Sequence, residues 1–484
     1  MQTQEQTHHK NFFIDGGWKA PATTKRIDVW GANTGTIIGS VPEGSEADID
    51  VAVAAARRAF DGGWSQTTPA ERAGYLNRFA DALEKRGPQL SHAVSVQNGM
   101  PLWVSEGFEV QYTCGLLRYY AALAAGIVSE ERRPSPMGFD TLVRRKPVGV
   151  VGAIVPWNYP VALSMMKIGP ALATGCTMVL KPSPGTVFDC YIVAEAAAEA
   201  GIPPGVLNWV PGGREVGAYL VSHPGIDKVA FTGSTPAGRK IGEVCGRLLR
   251  PVTLELGGKS AAIVLDDVDV NSMVQNMLFA CFANNGQTCM LSTRVLAPAS
   301  RYNELVDAIA TYATNLKVGS SLDKETQIGP LASSDHRDRV EGYIAKGKTE
   351  ARLVAGGGRP KAQDKGWFVE PTVFADVSNK AVIAQEEIFG PVLSIIKYEG
   401  GEEEAIKISN DSEYGLGGTV WSSNSERAQN VARRVHTGSI GVNGYMIDMA
   451  APFGGVKASG LGREMGPESL GAYQSIQSVY LPVG

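Results

Sequence analysis

Apolar runs alternate with helical segments through the middle of the chain. Within each run the apolar residues follow one another directly, which is typical of parallel strands buried on both faces. Because a segment with helical spacing follows each of the first four runs, we expect a parallel sheet covered by helices. The predicted strands are 149–155, 177–180, 206–210, 228–231 and 252–256, and the predicted helices are 161–173, 186–200, 213–222 and 236–249.

The same alternation returns after residue 260, so we predict a second α/β domain. A predicted helix there leads directly into a loop that contains Cys289. The predicted strands are 261–265, 295–297, 392–396 and 418–421, and the predicted helices are 271–283, 301–316 and 402–409.

Helical signals dominate the first part of the chain. Residues 45–60 carry apolar residues at helical spacing. Thr68, Pro69 and Glu71 combine an N-cap, a proline at the first helical position and a capping-box glutamate, and this helix is expected to end at Gly87 and Pro88. A third helix is predicted over 102–125.

Two segments have strand character without a place in these domains. Residues 130–146 are charged and interrupted by proline, which suits either a protruding arm or a solvated hairpin. Residues 474–481 alternate apolar and polar positions, so we expect this terminal strand to pair with the arm or with another subunit.

Composition and charge narrow the class of protein. The 484 residues are enough for two or three domains. A formal charge of −4 offers no basic surface for nucleic acid, and the longest apolar run, 148–156, is too short to cross a bilayer. Residues 1–10 lack the apolar core of a secretory signal, and the six cysteines lack the spacing of a zinc site or a disulfide framework. We therefore expect a cytoplasmic protein with no metal, no nucleic acid and no membrane partner.

Polar or glycine-rich clusters follow four of the predicted strands. They are PWNYP at 156–160, KPSP at 181–184, TGSTPAG at 232–238 and ELGGK at 255–259. Because parallel sheets bind ligands at their carboxyl edge, these clusters should line one crevice. Gly233 and Ser234 open a predicted helix, where free N–H groups favour a phosphate. The spacing is G-x-x-x-x-G, which alone indicates a dinucleotide site only weakly.

The loop FANNGQTCMLSTR at 282–294 places Cys289 among small and amide residues. Gly286 allows a tight bend before the thiol. The amide and hydroxyl side chains around it can stabilise an oxyanion formed when a thiolate attacks a carbonyl. The alternative is an inert packing cysteine, the more frequent role of a free thiol.

Seven motifs together resemble those of the NAD(P)-dependent aldehyde dehydrogenase superfamily, in the family's order and over nearly the whole chain. They are PWNYP (156–160), LKPSP (180–184), VAFTGSTPAG (229–238), LELGGKS (254–260), NNGQTC (284–289), EEIFGPV (386–392) and PFGGVKASG (452–460). The resemblance implies an α/β fold with two Rossmann-like parallel-sheet domains, one for the cofactor and one for catalysis, plus a small β oligomerisation arm. The cofactor domain is expected to consist of residues 1–125 and 147–258, and the catalytic domain of residues 259–470. The oligomerisation arm is expected to consist of residues 126–146 and 471–484. The resemblance also implies a homodimer or a homotetramer.

The resemblance further implies a covalent oxidation of an aldehyde. Cys289 forms a thiohemiacetal, and Asn158 with the Cys289 backbone N–H stabilises its oxyanion. Hydride passes to the nicotinamide, and Glu255 activates the water that hydrolyses the resulting thioester. The residues implied at the cofactor are Trp157, Lys181, Ser183, Gly213, Gly233, Ser234, Leu256, Glu387 and Phe389.

Other functions stay open at this level. Relatives that transfer the acyl group to coenzyme A tend to lack the glutamate at position 255, so its presence favours a free acid. A strand-end salt bridge from Glu255 to Lys259 is an equal alternative from the residues alone. A non-redox thioesterase or a structural relative is a hypothesis of another class. Pro184 stands where NAD-preferring relatives often carry a glutamate, so NAD is favoured but the pattern permits NADP.

The substrate tunnel is inferred from motif position. No arginine among its candidate walls would hold a semialdehyde carboxylate, and the extra tryptophans of a quaternary-ammonium cage are missing. We therefore expect an uncharged aliphatic or aromatic aldehyde of moderate size, although for each wall residue taken alone ordinary core is the safer interpretation. The candidates are Tyr159, Leu163, Met166, Phe282, Met290, Ile447 and Phe453.

Overall fold

The protein, described by a computed structural model over residues 6–482, contains two large sheets and two small ones. The first large sheet has eight strands, and the five at its centre are parallel. All five carry the unbroken apolar runs of the sequence, so the prediction of a parallel sheet is confirmed. In spatial order these central strands are Val252–Glu255, Lys228–Thr232, Val150–Ile154, Thr177–Lys181 and Leu207–Trp209.

The second large sheet has seven strands, six of them mutually parallel. The antiparallel strand Arg352–Ala355 lies at one edge. The other six, in spatial order, are Thr372–Ala375, Val392–Tyr398, Arg294–Pro298, Ala261–Val264, Gly418–Trp421 and Gly441–Val442.

The order of the first sheet reverses beside its first parallel strand. From Val150–Ile154 the chain adds two strands on one side and later adds Lys228–Thr232 on the other side. Connections leave such neighbouring strands in opposite directions, which opens a crevice at their carboxyl ends. Residues 156–160 and 232–235 therefore border the crevice, as their position after the strands predicted.

Helices cover both faces of the large sheets. Several begin as the sequence indicates, for example at Thr68, whose side chain accepts a bond from the Glu71 N–H in a capping box. No helix among residues 6–482 is long and apolar enough to cross a membrane. The α-helices longer than one turn are Glu46–Asp61, Pro69–Lys85, Gly87–Asn98, Thr113–Ala125, Pro160–Thr174, Phe188–Glu199, Arg214–Ser222, Thr235–Arg247, Val270–Met277, Tyr302–Asn315, Ser334–Glu350, Val382–Gln385, Gly401–Asn410 and Ser425–Ala432.

The arm and the terminal strand form one small sheet. Strands Glu130–Pro134 and Asp140–Pro147 make a hairpin, and Gln474–Tyr480 pairs antiparallel with Asp140–Pro147. Pairing of the terminal strand with the arm, one of the two predicted arrangements, is thus what the structure shows. The other small sheet joins Thr7–His8, Thr36–Pro42 and Arg26–Gly31.

Three details differ from the sequence predictions. Gly87 and Pro88 do end one helix, but they also begin the helix Gly87–Asn98, because proline is tolerated in the first turn.

Strand Gly460–Leu461 pairs with Val252–Glu255 in the first large sheet, so a boundary at residue 470 does not separate the two sheets. Strands Phe12–Ile14 and Gly17–Lys19 extend that sheet at its opposite edge. Residues 1–5 of the predicted non-signal segment lie outside the described residues.

Candidate active site

A cavity of about 230 Å³ occupies the crevice between the two large sheets. Trp157, Asn158 and Ser234 reach it from the strand ends of the first sheet. Cys289 and Glu387 reach it from the second. The lining residues are Pro156, Trp157, Asn158, Leu163, Thr232, Gly233, Ser234, Leu256, Gly257, Cys289, His336, Arg339, Glu387 and Phe389.

A second cavity of about 460 Å³ adjoins the first, and Ser234 lines both. Gly213 and Pro184 also line it, whereas Ser183 is in neither lining. Lys181 reaches it from a strand end and donates hydrogen bonds to the carbonyls of Gly212 (2.7 Å) and Pro182 (3.1 Å). Burial lowers the pKa of Lys181 to about 8. Together the two cavities form one elongated cleft that passes the first turn of the helix Thr235–Arg247.

The cysteine loop owes its shape to backbone strain and amide bonds. Asn284 and Asn285 have left-handed φ values of 50° and 62°, a conformation that asparagine tolerates better than most residues. The Asn285 amide donates to the carbonyls of Gly99 (2.9 Å) and Pro330 (2.8 Å). Since a Cβ on Gly286 would lie 2.2 Å from the backbone of Gly390, only glycine fits this bend. These bonds support the expectation that the amides shape the loop.

Asn158 is buried and directed at the cysteine loop. Its Nδ2 donates to the carbonyl of Gln287 at 2.9 Å. The carbonyl of Asn158 in turn accepts bonds from the amides of Asn98 (3.2 Å) and Asn284 (2.9 Å). Asn98 also donates to the Trp157 carbonyl at 3.1 Å. Sequence reasoning missed Asn98, although it stands beside the glycine that ends a helix.

Cys289 is the one partly exposed thiol among the six cysteines, and all six are free. Burial, followed by the carboxylates of Glu387 and Glu255, raises the pKa of the Cys289 thiol to about 12. With the cleft as described, the thiol is therefore protonated at neutral pH, and a positive charge or added N–H donors near the sulfur would be needed to ionise it.

Glu255 lies at the end of its strand, with both carboxylate oxygens buried and without a hydrogen-bond partner among the described residues. Burial and the neighbouring Glu464 carboxylate raise the pKa of Glu255 well above its ordinary value. Lys259 Nζ has no hydrogen-bond partner in the described chain either, so the predicted alternative of a Glu255–Lys259 salt bridge is wrong. A desolvated carboxyl with a raised pKa binds a proton strongly once it is ionised, so this group is suited to act as a base.

A buried ion pair beside Glu255 was not predicted. Lys167 Nζ lies 2.8 Å from Glu464 and 2.6 Å from the Thr232 hydroxyl, and the lysine and glutamate are both almost completely buried. The two ionic partners are 297 positions apart in the sequence. No local pattern in the chain could have joined them.

Glu387 and Phe389 line the cavity of Cys289 from the second part of the chain. Glu387 accepts a bond from the Gly258 N–H at 2.9 Å, and burial raises its pKa to about 6. Phe389 has a left-handed φ of 65°, and its carbonyl accepts a 2.7 Å bond from His336. Its ring packs edge-on against Trp157 with the centroids 5.4 Å apart. The structure thus brings these predicted cofactor residues to one wall.

Cys289 packs against the large apolar core on one face of the first sheet. Six of the seven predicted tunnel residues belong to that core or pack against it: Tyr159, Leu163, Met166, Met290, Ile447 and Phe453. The prediction of Phe282, the seventh, as a tunnel residue is wrong. Its side chain is 0% exposed and packs in the core of the second sheet with Val295 and Met277. Sequence reasoning missed Phe108, whose ring packs against Tyr159 with the centroids 6.0 Å apart and against Tyr112 at 5.9 Å.

Within residues 6–482, no group of three or more histidine, cysteine, aspartate or glutamate side chains is placed to hold a metal ion. The chemical groups in the cleft are instead a thiol, a buried carboxylate, a carboxamide and N–H groups at a helix start. These groups can perform nucleophilic addition to a carbonyl followed by hydrolysis.

Comparisons with known proteins agree with these features. A family model described as the aldehyde dehydrogenase family matches residues 18–479. The chain is 61% identical over 474 residues to a geranial dehydrogenase of Castellaniella defragrans, which covers 98% of this chain and 99% of the relative. A Mycobacterium tuberculosis aldehyde dehydrogenase complexed with NAD+ has 47% identity, 99% coverage of both chains and a TM-score of 0.96. The NAD+ complex of a Bacillus cereus aldehyde dehydrogenase has 40% identity, 98% and 97% coverage, and a TM-score of 0.95.

Proposed function

Because this chain belongs to the aldehyde dehydrogenase family, we propose that its physiological substrate is an uncharged, apolar aldehyde of moderate size. The protein is an NAD-dependent oxidoreductase that converts an aldehyde to the carboxylic acid. The observation that carries the proposal is the position of Cys289. The thiol lines a cleft that offers the groups to hold a dinucleotide, and it packs against an apolar core that includes Tyr159, Met290 and Phe453.

Cys289 and Asn158 carry the first chemical step in this proposal. The thiolate of Cys289 attacks the aldehyde carbon and forms a thiohemiacetal. The Asn158 amide, already 2.9 Å from the Gln287 carbonyl, has a second N–H that can turn towards the oxyanion together with the Cys289 backbone N–H. NAD, when bound, accepts the hydride.

The cleft fits NAD by the chemistry of its side chains. The free N–H groups at the start of the helix Thr235–Arg247 suit the pyrophosphate, with Ser234 and Trp157 beside them. Lys181 and Glu387, which stand at the two ends of the cleft, are suited to the hydroxyl groups of the two riboses. Gly213, Gly233, Leu256 and Phe389 line the walls.

Glu255 is proposed as the base for hydrolysis of the thioester. Its unpartnered carboxylate takes a proton from water, and the water oxygen replaces the Cys289 sulfur at the acyl carbon. This supports a free acid product over the rival in which coenzyme A accepts the acyl group. A non-redox thioesterase would need no cleft for a dinucleotide, so the elongated cleft argues against that rival.

The cofactor cavity supports use of NADP beside NAD. Lys181, Arg214 and Lys240 line it, and no carboxylate is among its lining residues within the described chain. Pro184 stands in that lining at the position where an acidic residue would repel a 2′-phosphate. We therefore expect NAD to be used and NADP to be accepted as well.

Three tyrosines that pack against the same apolar core as Cys289 have their hydroxyl groups already engaged. Tyr112 donates to the Met465 sulfur (2.8 Å), Tyr159 pairs with Thr288 (2.9 Å) and Tyr445 pairs with Ser439 (2.5 Å). The rings therefore present apolar surface to a substrate without offering a free hydroxyl. This favours a hydrocarbon chain over a semialdehyde, and geranial, the substrate named for a relative, is a suitable probe.

The assembly and the cellular setting belong to the same proposal. The hairpin 126–146 and the segment 471–484 would join subunits into a homodimer or a homotetramer. Exposed apolar side chains on this element, including Met137, Ile476 and Tyr480, support that role. The six free cysteines agree with a reduced, cytoplasmic setting.

An aldehyde panel tests the proposal. NADH or NADPH formation would be followed by absorbance with geranial, hexanal, benzaldehyde, betaine aldehyde and succinate semialdehyde, with NAD or NADP and with or without coenzyme A. We expect the highest kcat/KM with geranial or hexanal, and no dependence on coenzyme A. A preference for either charged aldehyde, or activity that requires coenzyme A, would reject the proposed substrate class or the proposed product.

A further inference from the structure

A chain of hydroxyl groups connects the two halves of the active site beside the reacting atoms. The Tyr159 hydroxyl lies 2.9 Å from Thr288 Oγ1, and Thr288 Oγ1 lies 3.0 Å from the Ala283 carbonyl. A carbonyl can only accept, so the single proton of Thr288 is donated to Ala283. The Tyr159 hydroxyl must therefore donate to Thr288, which fixes the direction of the whole chain.

This contact joins the immediate neighbours of the two central groups. Tyr159 follows Asn158 at the end of a strand of the first sheet, and Thr288 precedes Cys289 in the loop of the second. A second bond, from Asn158 Nδ2 to the Gln287 carbonyl, runs beside it. Two adjacent bonds thus cross the interface and restrict sliding of one segment along the other.

We propose that Tyr159 and Thr288 form a latch that positions Asn158 against Cys289 during attack on the aldehyde. Tyr159 is then a positioning residue through its hydroxyl, in addition to any contact of its ring with substrate. Tyr159 is the N-cap residue of the helix Pro160–Thr174, with a non-helical φ of −133° and no capping bond from its side chain. The Phe108 ring supports it from the side, edge-on at 6.0 Å between centroids.

The latch rests on the proposed roles of Cys289 and Asn158, and it differs from a simple tunnel wall in what it predicts. A wall residue changes KM in proportion to how much substrate touches it. A latch instead changes the rate of the chemical step for every aldehyde, because the oxyanion donor is misplaced whatever the substrate carries.

Tyr159→Phe and Thr288→Val test this difference, because both keep the shape of the side chain and remove the hydroxyl. The measurement is the rate constant of the first turnover of NADH formation with propanal and with geranial. Loss of the neutral Tyr159–Thr288 hydrogen bond should lower it by about threefold to tenfold for both aldehydes alike in Tyr159→Phe. Thr288→Val also removes the bond to Ala283 and should be at least as slow. The double variant should be no slower than Thr288→Val, and Thr288→Ser, which keeps the hydroxyl, should retain the wild-type rate.

Tyr120→Phe is the matched control. The Tyr120 hydroxyl makes a comparable buried contact with Ser469 at 2.9 Å, and neither residue lines the cavity of Cys289. The melting temperature of Tyr120→Phe reports how much stability is lost when such a buried hydroxyl is removed. The rate constant of its first turnover should equal that of the wild type. A rate loss in Tyr159→Phe that is also seen in Tyr120→Phe would overturn the latch.

Two further results would overturn it. Additive losses in the double variant would show that the two hydroxyl groups act independently. An increase in KM confined to geranial, with unchanged first turnover, would show that Tyr159 is only a wall. If the wild-type protein formed no NADH from either aldehyde, the proposed function and the latch would both be rejected, whereas active wild-type protein with an equally fast Tyr159→Phe would reject the latch alone.

Discussion

The thiol of Cys289 presents a problem of ionisation. Burial and the carboxylates of Glu387 and Glu255 raise its pKa to about 12, yet only a thiolate attacks an aldehyde readily. Glu387 has a pKa of about 6, raised by burial, so it is negatively charged at neutral pH and above. Its charge therefore opposes ionisation of the sulfur as long as no positive group lies in the cleft.

We expect Glu387→Gln to lower the pKa of the Cys289 thiol in the cofactor-free protein. Removal of a negative neighbour favours the thiolate, so iodoacetamide should modify Cys289 roughly threefold faster at pH 9, equivalent to a shift of about half a pKa unit. The measurement is mass spectrometry of the Cys289 peptide over time between pH 7 and 10.

Glu386→Gln is the matched control for this experiment. Glu386 is the preceding residue, but its carboxylate accepts a bond from the Tyr343 hydroxyl (2.6 Å) and does not line the cavity of Cys289. The control should leave the rate of modification unchanged. Equal rates in the Glu387 variant and the wild-type protein would show that the Glu387 charge does not reach the sulfur.

Single residues differ in how far sequence could identify them. Cys289 and Glu255 stand in motifs whose order along the chain carries the resemblance, so their proposed roles came from local sequence. Asn98 and the Lys167–Glu464 pair act through partners at least 59 positions away. Only folding brings such partners together. Phe282 shows the opposite failure, since an apolar residue beside a reactive loop belongs equally well to a tunnel or to a core.

At the scale of elements, the helix Pro160–Thr174 depends on a neighbour for its cap. Its own N-cap residue, Tyr159, makes no side-chain capping bond. Instead the buried Glu109 accepts a bond from the Val161 N–H at 2.7 Å, from a π-helical stretch that spans Ser105–Tyr112. Burial, and then nearby Asp189, raise the pKa of Glu109 to about 8. This element carries Leu163, Met166 and Lys167 into the site.

We expect Glu109→Gln to reduce the pH dependence of stability. Between its ordinary pKa of 4.5 and a folded pKa of about 8, Glu109 holds a proton in the folded protein that the unfolded chain releases. The free energy of unfolding therefore falls by up to about 1.4 kcal/mol per pH unit as pH rises through this window. In the variant this contribution is absent, because glutamine does not titrate. The melting temperature of the variant relative to wild type should rise between pH 5.5 and 8.5.

Glu106→Gln provides the comparison, because Glu106 is an exposed carboxylate in the same stretch. Its melting temperature should follow the wild type at both pH values. Identical pH dependence in Glu109→Gln and wild type would mean that Glu109 releases its proton as easily in the folded protein as in the unfolded chain.

Elements with strong local signals were predicted, and those fixed by distant pairing were not. The buried strands of the first sheet and their helices appear within a few residues of the expected bounds. The strand Thr372–Ala375 and the helix Ser334–Glu350 were missed. The strand has only four residues, and the helix has a mostly polar sequence with few buried positions, so neither shows a clear apolar period.

At the scale of the molecule, the site exists only where the two large sheets meet. Asn158, Glu255 and Ser234 come from the first sheet, and Cys289, Glu387 and Phe389 come from the second part of the chain. The sequence indicated the residues of both halves, because each residue follows a predicted strand or lies in a recognisable motif. It could not indicate the contacts across the interface, such as Asn285 to Gly99, which depend on how the halves pack.

The small sheet is the part of the molecule that we expect to join subunits. Strand Gln474–Tyr480 pairs with Asp140–Pro147 on one side, and no other described strand pairs with its outer edge. It exposes Ile476 (71%) and Tyr480 (72%). An open edge with exposed apolar side chains is a liability in a free monomer unless another chain covers it.

The double variant Ile476→Asp, Tyr480→Asp should therefore dissociate the assembly. Two buried, unpaired carboxylates per subunit would disfavour an apolar interface, whereas on a solvent-exposed face they would cost little. Light scattering coupled to size exclusion would show a lower mass for the variant than for wild type. Leu249→Asp, a change at a side chain that is 91% exposed elsewhere on the surface, is the comparison. If Leu249→Asp lowers the mass and the double variant does not, the subunits meet through the surface around Leu249 and the terminal sheet stands free.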